Sequence, residues 1–299
     1  MEVINFGAYD DKKKYVKSIS VTQLTSFKSS DIIEKAMKYI HFKELSPVIY
    51  NIPLKGLVNT HGNNYEDVND INGIAIPAYY QSRITNGSSC SIQEQCMKTL
   101  NQIVIMSDNE IDKERMNKNK KLLNEIAQID HSNFSNFLRL AIIYQYAMTG
   151  FESKMNQIKN YLIHHDSWFN GDDIQKCHHC LDKNLQNSSS IDFEVPVKSV
   201  ATTLLPQISG QIDVVTNKND TIWELKCTDK IRDEHLLQLG LYAYMYMKME
   251  SKRTITSKIL NIKTGQVLEL ASTFEDLEKM FDLLVDSYVK GNSILSSCY

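Results

Sequence analysis

Two short apolar runs in the last third of the chain each contain an acidic residue. Residues 212–215 surround Asp213, and residues 222–225 contain Glu224 and precede Lys226. A polar turn lies between the runs, so the pattern predicts a hairpin of two buried strands. Because successive side chains of a strand point to opposite faces, Glu224 and Lys226 share one face, which Asp213 can reach from the partner strand.

A helical pattern follows the hairpin. From Asp233 onward, apolar residues recur at intervals typical of a largely buried helix, and the acidic residues at its start suit the positive end of the helix dipole. Glu234, Gln238 and Tyr242 are spaced by four and therefore share a face. Gln238 also suits a polar residue that satisfies buried backbone groups, and Tyr242 a core aromatic residue with a hydrated hydroxyl. The pattern leaves both interpretations open.

Patterns elsewhere predict an α/β protein. Helices are predicted over residues 30–40, 91–106, 109–129, 138–148, 151–163, 172–186 and 273–290, and further strands over residues 191–197, 204–215, 254–262 and 266–270. Residues 46–87 contain three prolines and several turn residues, so we expect loops with a few extended segments there. The predicted architecture is a mainly helical N-terminal part, residues 1–132, with the irregular segment 46–87. A core, residues 133–299, follows, with a small central mixed sheet flanked by helices.

Composition places the chain among globular proteins. Its 299 residues are 42% hydrophobic and 23% charged, which argues against wholesale disorder and against a fibrous protein. The formal net charge is -3, so no overall basic field indicates a pure nucleic-acid-binding module. No segment approaches the ~20 apolar residues that cross a bilayer, and the start lacks a signal-peptide pattern. We therefore expect no membrane partner and an intracellular protein that is not secreted. The six cysteines are scattered, which favours reduced thiols.

Asp213, Glu224 and Lys226 together suit phosphodiester hydrolysis. Mg²⁺ takes oxygen ligands and is commonly held by one or two carboxylates, waters and substrate phosphate oxygens. Such a metal lowers the pKa of a bound water, and a nearby ammonium can orient the nucleophile or offset charge on the phosphate. The alternative is that Glu224 and Lys226 form an ordinary ion pair and that Asp213 only ends a strand. The coincidence of two acids and a lysine inside apolar runs favours the first interpretation.

The same residues resemble a known family. The sequence Gly-Gln-Ile-Asp213, ten intervening residues and then Glu224-Leu-Lys226 resemble the PD-(D/E)XK nuclease superfamily. The sequence Gln238-Leu-Gly-Leu-Tyr242 resembles the QxxxY motif of its RecB-like branch. The resemblance implies a restriction-endonuclease-like core that cleaves DNA with Mg²⁺ or Mn²⁺.

The resemblance also implies roles for individual residues. Asp213 and Glu224 would bind the metal, together with the backbone carbonyl of Leu225. Lys226 would assist the water as the third catalytic side chain. Gln238 would hold the site and the nucleic-acid backbone, with Tyr242 beside it as a second substrate-binding residue.

The resemblance further implies a biological setting and a cofactor. Cleavage is expected at DNA ends or on single strands, in replication, recombination or repair. The expected partners are DNA and a helicase or another replication or repair protein. Some RecB-like nucleases hold an iron-sulfur cluster through one early cysteine and three closely spaced late ones. Such a cluster is not expected here, because only Cys298 lies near the C-terminus.

Other polar residues have two interpretations each. Glu194, on the predicted strand 191–197, is either a third acid near the metal or an outward-facing carboxylate. Lys154 and Gln157 either bind backbone phosphates of the substrate or lie on an exposed helix face. No histidine clearly matches the helix-borne metal ligand of many RecB-like enzymes. Zinc is not expected at Cys177-His178-His179-Cys180, because adjacent histidines within one helical turn do not converge on a tetrahedral site.

Two other functions remain open at this stage. A catalytically silent nuclease-like domain would bind DNA or a helicase without cutting. An RNA endonuclease would use the same metal chemistry, and only its substrate groove would distinguish it. Intact Asp213, Glu224 and Lys226 argue against the silent domain.

Overall fold

A computed structural model describes most of the chain, in eight stretches: residues 18–26, 29–54, 57–61, 64–106, 113–150, 170–199, 207–217 and 220–296. The described residues belong to two compact units. The sheet unit comprises residues within Asn5–Asn51 and Leu185–Tyr299, and the helical unit comprises residues within Ile52–Asn184.

The sheet unit is built on a mixed seven-stranded sheet. Its strands are β1 (Ser18–Ser20), β2 (Phe42–Ser46), β5 (Ile191–Lys198), β6 (Gln207–Thr216), β7 (Thr221–Lys226), β8 (Thr256–Asn261) and β9 (Gln266–Leu270). Their order is β1-β6-β7-β8-β9-β2, and β5 pairs along β6. The pairs β1–β6 and β7–β8 are parallel, and the other pairs are antiparallel. The α/β class expected from the sequence is therefore confirmed.

Four helices of the described chain belong to the sheet unit: α1 (Val21–Ser26), α2 (Ser30–Met37), α8 (Asp233–Met249) and α9 (Phe274–Ser296). Helix α8 is the centre of the core, where Leu237 and Leu241 pack with sheet residues such as Ile222 and Ile259. A fully buried side chain of this kind contributes about 1.5–3 kcal/mol. A methyl group on Gly240 would lie 2.8 Å from Ile40 Cδ1 and 3.2 Å from Met280 Sδ, so a larger residue would require the ends of these side chains to move.

The helical unit contains a short hairpin and five helices within the described residues. The strands are β3 (Leu57–His61) and β4 (Asn64–Asp67), and the helices are α3 (Asn69–Ile84), α4 (Ser91–Met106), α5 (Lys113–Ala127), α6 (Phe134–Thr149) and α7 (Gly171–Leu185). The pairs α3–α6, α4–α5 and α4–α6 pack against each other. Asn133 caps α6 by accepting a hydrogen bond from Ser135 N, and Gly150 ends it in the left-handed conformation. No helix in these described ranges is both long and apolar enough to span a membrane.

Helix α3 corrects the expectation that residues 46–87 are irregular. Pro77 lies inside this helix, although proline normally ends or kinks one because it cannot donate the backbone hydrogen bond. Ile71, Ala75 and Ile76 before the proline and Tyr80 after it are all buried, so tertiary packing holds the helix together across Pro77. The expectation was wrong because the preference against proline in helices describes only the local backbone and not tertiary packing.

The division into units also differs from the predicted boundary at residue 132. Strands β1 and β2 pair with β6 and β9, so the N-terminal segment belongs to the sheet unit. Helices α6 and α7 belong to the helical unit instead. Pairing between strands that lie far apart in the chain, as Ser18 with Gln207 and Phe42 with Leu270, leaves no local pattern in the sequence. The predicted helix over residues 151–163 lies outside the described residues.

Candidate metal centre

Strands β6 and β7 separate from each other at the candidate site. They pair in register at Val214 with Trp223 and at the two positions nearer the turn. The next backbone hydrogen bond of an antiparallel ladder would join Leu225 to Ile212. Instead, Leu225 N donates to Asp213 Oδ2 at 2.6 Å. The carboxylate of Asp213 therefore lies in the gap between the two strands.

The carbonyl of Leu225 faces the same gap. In a strand, the N–H and C=O groups of one residue point to the same edge. The Leu225 N–H points to β6, whereas Lys226 O accepts from Ile262 N at 2.7 Å on the β8 side. The backbone oxygen that the resemblance assigns to the metal is thus on the side of Asp213.

A chain of hydrogen bonds connects β7 to α8. Lys226 Nζ donates to Glu224 Oε1 at 2.7 Å and to Gln238 Oε1 at 3.0 Å. Gln238 Nε2 donates to the hydroxyl of Tyr242 at 3.2 Å. Glu224 and Lys226 share one face of β7, and Gln238 and Tyr242 share one face of α8, as the spacing predicted. The ammonium is thus held both by Glu224 on β7 and by Gln238 on α8.

Gly210 allows Tyr242 to reach this position. A methyl group on Gly210 would lie 2.6 Å from Tyr242 Cε1 and 3.1 Å from Val21 Cγ2, both closer than van der Waals contact. Any side chain at position 210 would therefore displace the ring or the start of α1. Gly210, which the sequence marked only as part of a motif, therefore has a steric role.

Glu194 joins the two acids of the hairpin. It lies between Phe193 and Val195, which are in register with Val214 and Ile212 on β6, but its own φ is 53°. This left-handed conformation is unfavourable for a residue with a Cβ. Burial, and then the charges of Asp213 and Glu224, raise the pKa of Glu194 well above its usual value. The structure thus places Glu194 with the other acids rather than facing outward.

The three carboxyl groups destabilise one another's ionised forms. Burial and then the charge of Asp213 raise the pKa of Glu224 to about 8, although Lys226 opposes the shift. Burial also raises the pKa of Asp213, against the effect of Lys226 and of the Leu225 hydrogen bond. Glu224 Oε2 is buried and accepts no hydrogen bond in the described chain. One ammonium does not compensate three carboxyl groups, so this cluster has room for additional positive charge.

The donor set suits a hard divalent cation. Its groups are carboxylate oxygens and one backbone carbonyl, which Mg²⁺ and Mn²⁺ prefer. Over the ranges described, no three His, Cys, Asp or Glu side chains already converge as a metal site. Mg²⁺ usually takes only one or two carboxylates and keeps several waters. The orphaned Oε2 of Glu224 and the carboxylate of Asp213 are the two groups that fit such a cation.

The remaining predicted residues lie elsewhere. Lys154 and Gln157 are outside the described residues. In the helical unit, Cys177 and Cys180 are buried on α7 and His178 is buried beside Tyr79 and Tyr80, whereas His179 is exposed. The four side chains of this motif therefore do not point in one direction.

Sequence reasoning missed His235 near the site. It is buried at the start of α8, and its Nδ1 accepts a hydrogen bond from Arg232 N at 3.2 Å. Burial, then Lys226 and then Arg232 lower the pKa of His235 to about 3, so the imidazole is neutral and adds no charge near the ammonium. His235 takes the capping-box position at the start of α8, where Glu or Gln is usual. The sequence pattern that identifies a capping box therefore does not detect it.

Comparisons of the chain with protein-family models, with curated proteins and with solved structures found no match. The family resemblance therefore rests on the residues of the β6–β7 hairpin and of α8.

Proposed function

We propose that the chain is a divalent-metal-dependent nuclease of the PD-(D/E)XK superfamily, RecB-like branch, that hydrolyses phosphodiester bonds of DNA. One observation carries the proposal: three carboxyl groups and one ammonium gather where β6 and β7 part. Such a cluster is unfavourable without a cation, and strongly shifted pKa values are more frequent at functional sites than elsewhere. An ordinary structural ion pair does not require three neighbouring acids.

Asp213 and Glu224 would hold the metal, with Glu194 as a third acid and the Leu225 carbonyl as a backbone ligand. Bound Mg²⁺ or Mn²⁺ would supply Lewis acidity toward a phosphate oxygen and would lower the pKa of a bound water. The protein contributes oxygen ligands that are already in place, so little rearrangement is required when the cation binds and the raised carboxyl groups release their protons.

Lys226 would orient the attacking water or offset charge that develops on the phosphate. Gln238 is suited to fix the ammonium, because its amide accepts from Lys226 at 3.0 Å and donates to Tyr242 at 3.2 Å. If Glu224 Oε1 no longer accepted from Lys226, the ammonium would therefore still have Gln238 on α8 as a partner. Tyr242 is a positioning residue, since it acts through Gln238.

The preference for ends or single strands, and a helicase or repair protein as partner, are part of the proposal on the resemblance alone. The test is incubation of the full chain with end-labelled single-stranded, duplex and tailed DNA and with RNA, in Mg²⁺, Mn²⁺ or EDTA. We expect cleavage of DNA only with metal. Cleavage of RNA instead would reassign the substrate, and binding without cleavage would identify a silent domain.

Substitutions test whether the activity depends on the residues of this site. Asp213→Asn and Lys226→Met are expected to lower the cleavage rate by roughly 10²-fold or more, as for loss of one group that stabilises a charged transition state. Lys258→Met is the matched control. It removes a lysine from the neighbouring strand, where the ammonium lies over the Trp223 ring at 5.1 Å on the opposite face of the sheet. Full activity of Asp213→Asn would overturn the assignment.

A further inference from the structure

A second lysine lies at the same edge of the sheet as Lys226. Parallel strands β7 and β8 end together, with Lys226 in register with Asn261, and Lys263 follows two residues later. The Lys263 side chain is only 9% exposed, and its Nζ lies 2.6 Å from Asp229 Oδ1. The Asp229 side chain is 79% exposed. The lysine is therefore fixed by packing, whereas its carboxylate partner is almost entirely in water.

Asn261 fixes the position of both partners. Its side chain is fully buried, and its amide nitrogen donates to Thr228 O at 2.8 Å. Its amide oxygen accepts from Thr228 N at 3.4 Å and from Lys263 N at 3.3 Å. The loop after β7 and the turn after β8 are thus joined through one side chain, which holds the Lys263 backbone beside the loop that leaves Lys226.

We propose that Lys263 binds a backbone phosphate of the nucleic-acid substrate and that Asp229 occupies this position until the substrate displaces it. The inference rests on the proposed nuclease function, because the phosphate would belong to the nucleic-acid strand that is cleaved beside Lys226. A carboxylate oxygen and a phosphate oxygen accept the same charge-assisted hydrogen bond from an ammonium. An exposed carboxylate is replaced at little cost, because an ion pair with one partner in water contributes little stability.

The other explanation is a structural latch, in which the Lys263–Asp229 pair only fixes the loop. The two explanations predict opposite signs for one variant. If Asp229 competes with phosphate, Asp229→Asn tightens substrate binding. If the pair is a latch, the same change loosens the loop and weakens binding or leaves it unchanged.

The experiment is fluorescence anisotropy of the full chain with a labelled oligothymidylate in EDTA, which measures binding without cleavage, over a series of salt concentrations. Asp229→Asn is expected to tighten binding by about fivefold, which corresponds to an ion pair that contributes about 1 kcal/mol. Lys263→Gln is expected to weaken binding severalfold and to reduce the slope of log affinity against log salt by about 0.7, the value for one phosphate contact on a single strand. Adding Asp229→Asn to Lys263→Gln should then have no effect.

Lys252→Gln is the matched control, because Lys252 pairs with Asp220 at 3.2 Å at the opposite end of the same strands. It should leave the salt slope unchanged. Weaker or unchanged binding in Asp229→Asn, or the same slope change in Lys252→Gln and Lys263→Gln, would overturn the proposal, with circular dichroism showing that the variants are folded. Cleavage in Mg²⁺ is measured separately. Loss of the proposed nuclease function would appear there in the wild type, whereas failure of this inference would appear only in binding.

Discussion

Replacing Glu194 by glycine is expected to raise stability in EDTA while it lowers metal-dependent activity. Two features of the folded protein disfavour glutamate at this position. Its φ of 53° is left-handed, and its carboxyl group is placed against those of Asp213 and Glu224. Glycine removes both penalties, whereas alanine removes the charge and keeps the conformational strain.

The difference between the two variants follows from the backbone. The left-handed conformation costs a residue with a Cβ about 1–2 kcal/mol. Glycine avoids this cost, but its unfolded chain is more flexible, so glycine loses about 0.5–1 kcal/mol more conformational free energy on folding. Glu194→Gly should therefore be more stable than Glu194→Ala by roughly 0.5–1 kcal/mol. Both should be more stable than the wild type at pH 8 in EDTA, because both remove one of three mutually repelling carboxyl groups.

Urea denaturation followed by circular dichroism measures these differences, first in EDTA and then in Mn²⁺. Metal should stabilise the wild type, by about 2.7 kcal/mol at one hundred times its dissociation constant, and the two variants less. Asp192 supplies the control, since it is exposed on the same strand and has no left-handed φ. There, glycine should be less stable than alanine. The reasoning fails if glycine is also less stable than alanine at position 194.

Three other changes test separate parts of the structure. Gly210→Ala is expected to lower the cleavage rate and to lower the free energy of unfolding by about 1–3 kcal/mol, because its methyl group would lie 2.6 Å from the Tyr242 ring. Nuclease assays and urea denaturation measure the two effects, and unchanged cleavage would contradict this prediction. In EDTA, the contribution of Glu224 to stability should fall as pH rises from about 4.5 to 8, because its raised pKa, about 8, keeps a proton on the folded protein that the unfolded chain has lost. Urea denaturation of the wild type and of Glu224→Gln isolates this contribution, and a stability difference between the two that is constant over the window would refute the shift. Pro77→Ala should stabilise the protein by about 1–2 kcal/mol, since alanine restores a backbone donor inside α3; a loss of stability would mean that the proline is required.

The local part of the candidate site was predictable from the sequence. Alternation placed Glu224 and Lys226 on one face of β7, and spacing by four placed Gln238 and Tyr242 on one face of α8. Both periodicities follow directly from backbone geometry, and both elements are present in the structure. The contact between the elements, Lys226 with Gln238 at 3.0 Å, required only that the helix pack over the hairpin.

The position of Glu194 was not predictable, because it depends on one backbone dihedral angle. Alternation along a regular strand gave two equally suitable orientations for its side chain. The left-handed φ at this residue turns the carboxyl group toward Asp213, and no composition or spacing encodes such an exception. The membership of β1 and β2 in the sheet was hidden for a related reason, since their partners lie far along the chain.

Helix α8 connects the stability of the sheet unit with the chemistry of the site. Gathering three carboxyl groups around one ammonium, with Glu224 buried, lowers stability in the absence of a cation. Apolar residues of α8, among them Leu237, Leu241 and Met245, offset this cost by packing between the sheet and α9. The same helix carries Gln238, which holds the ammonium. Changes that loosen α8 should therefore lower stability and activity together, whereas changes among the acids should move the two in opposite directions, and this difference separates a metal centre from an ordinary buried ion pair.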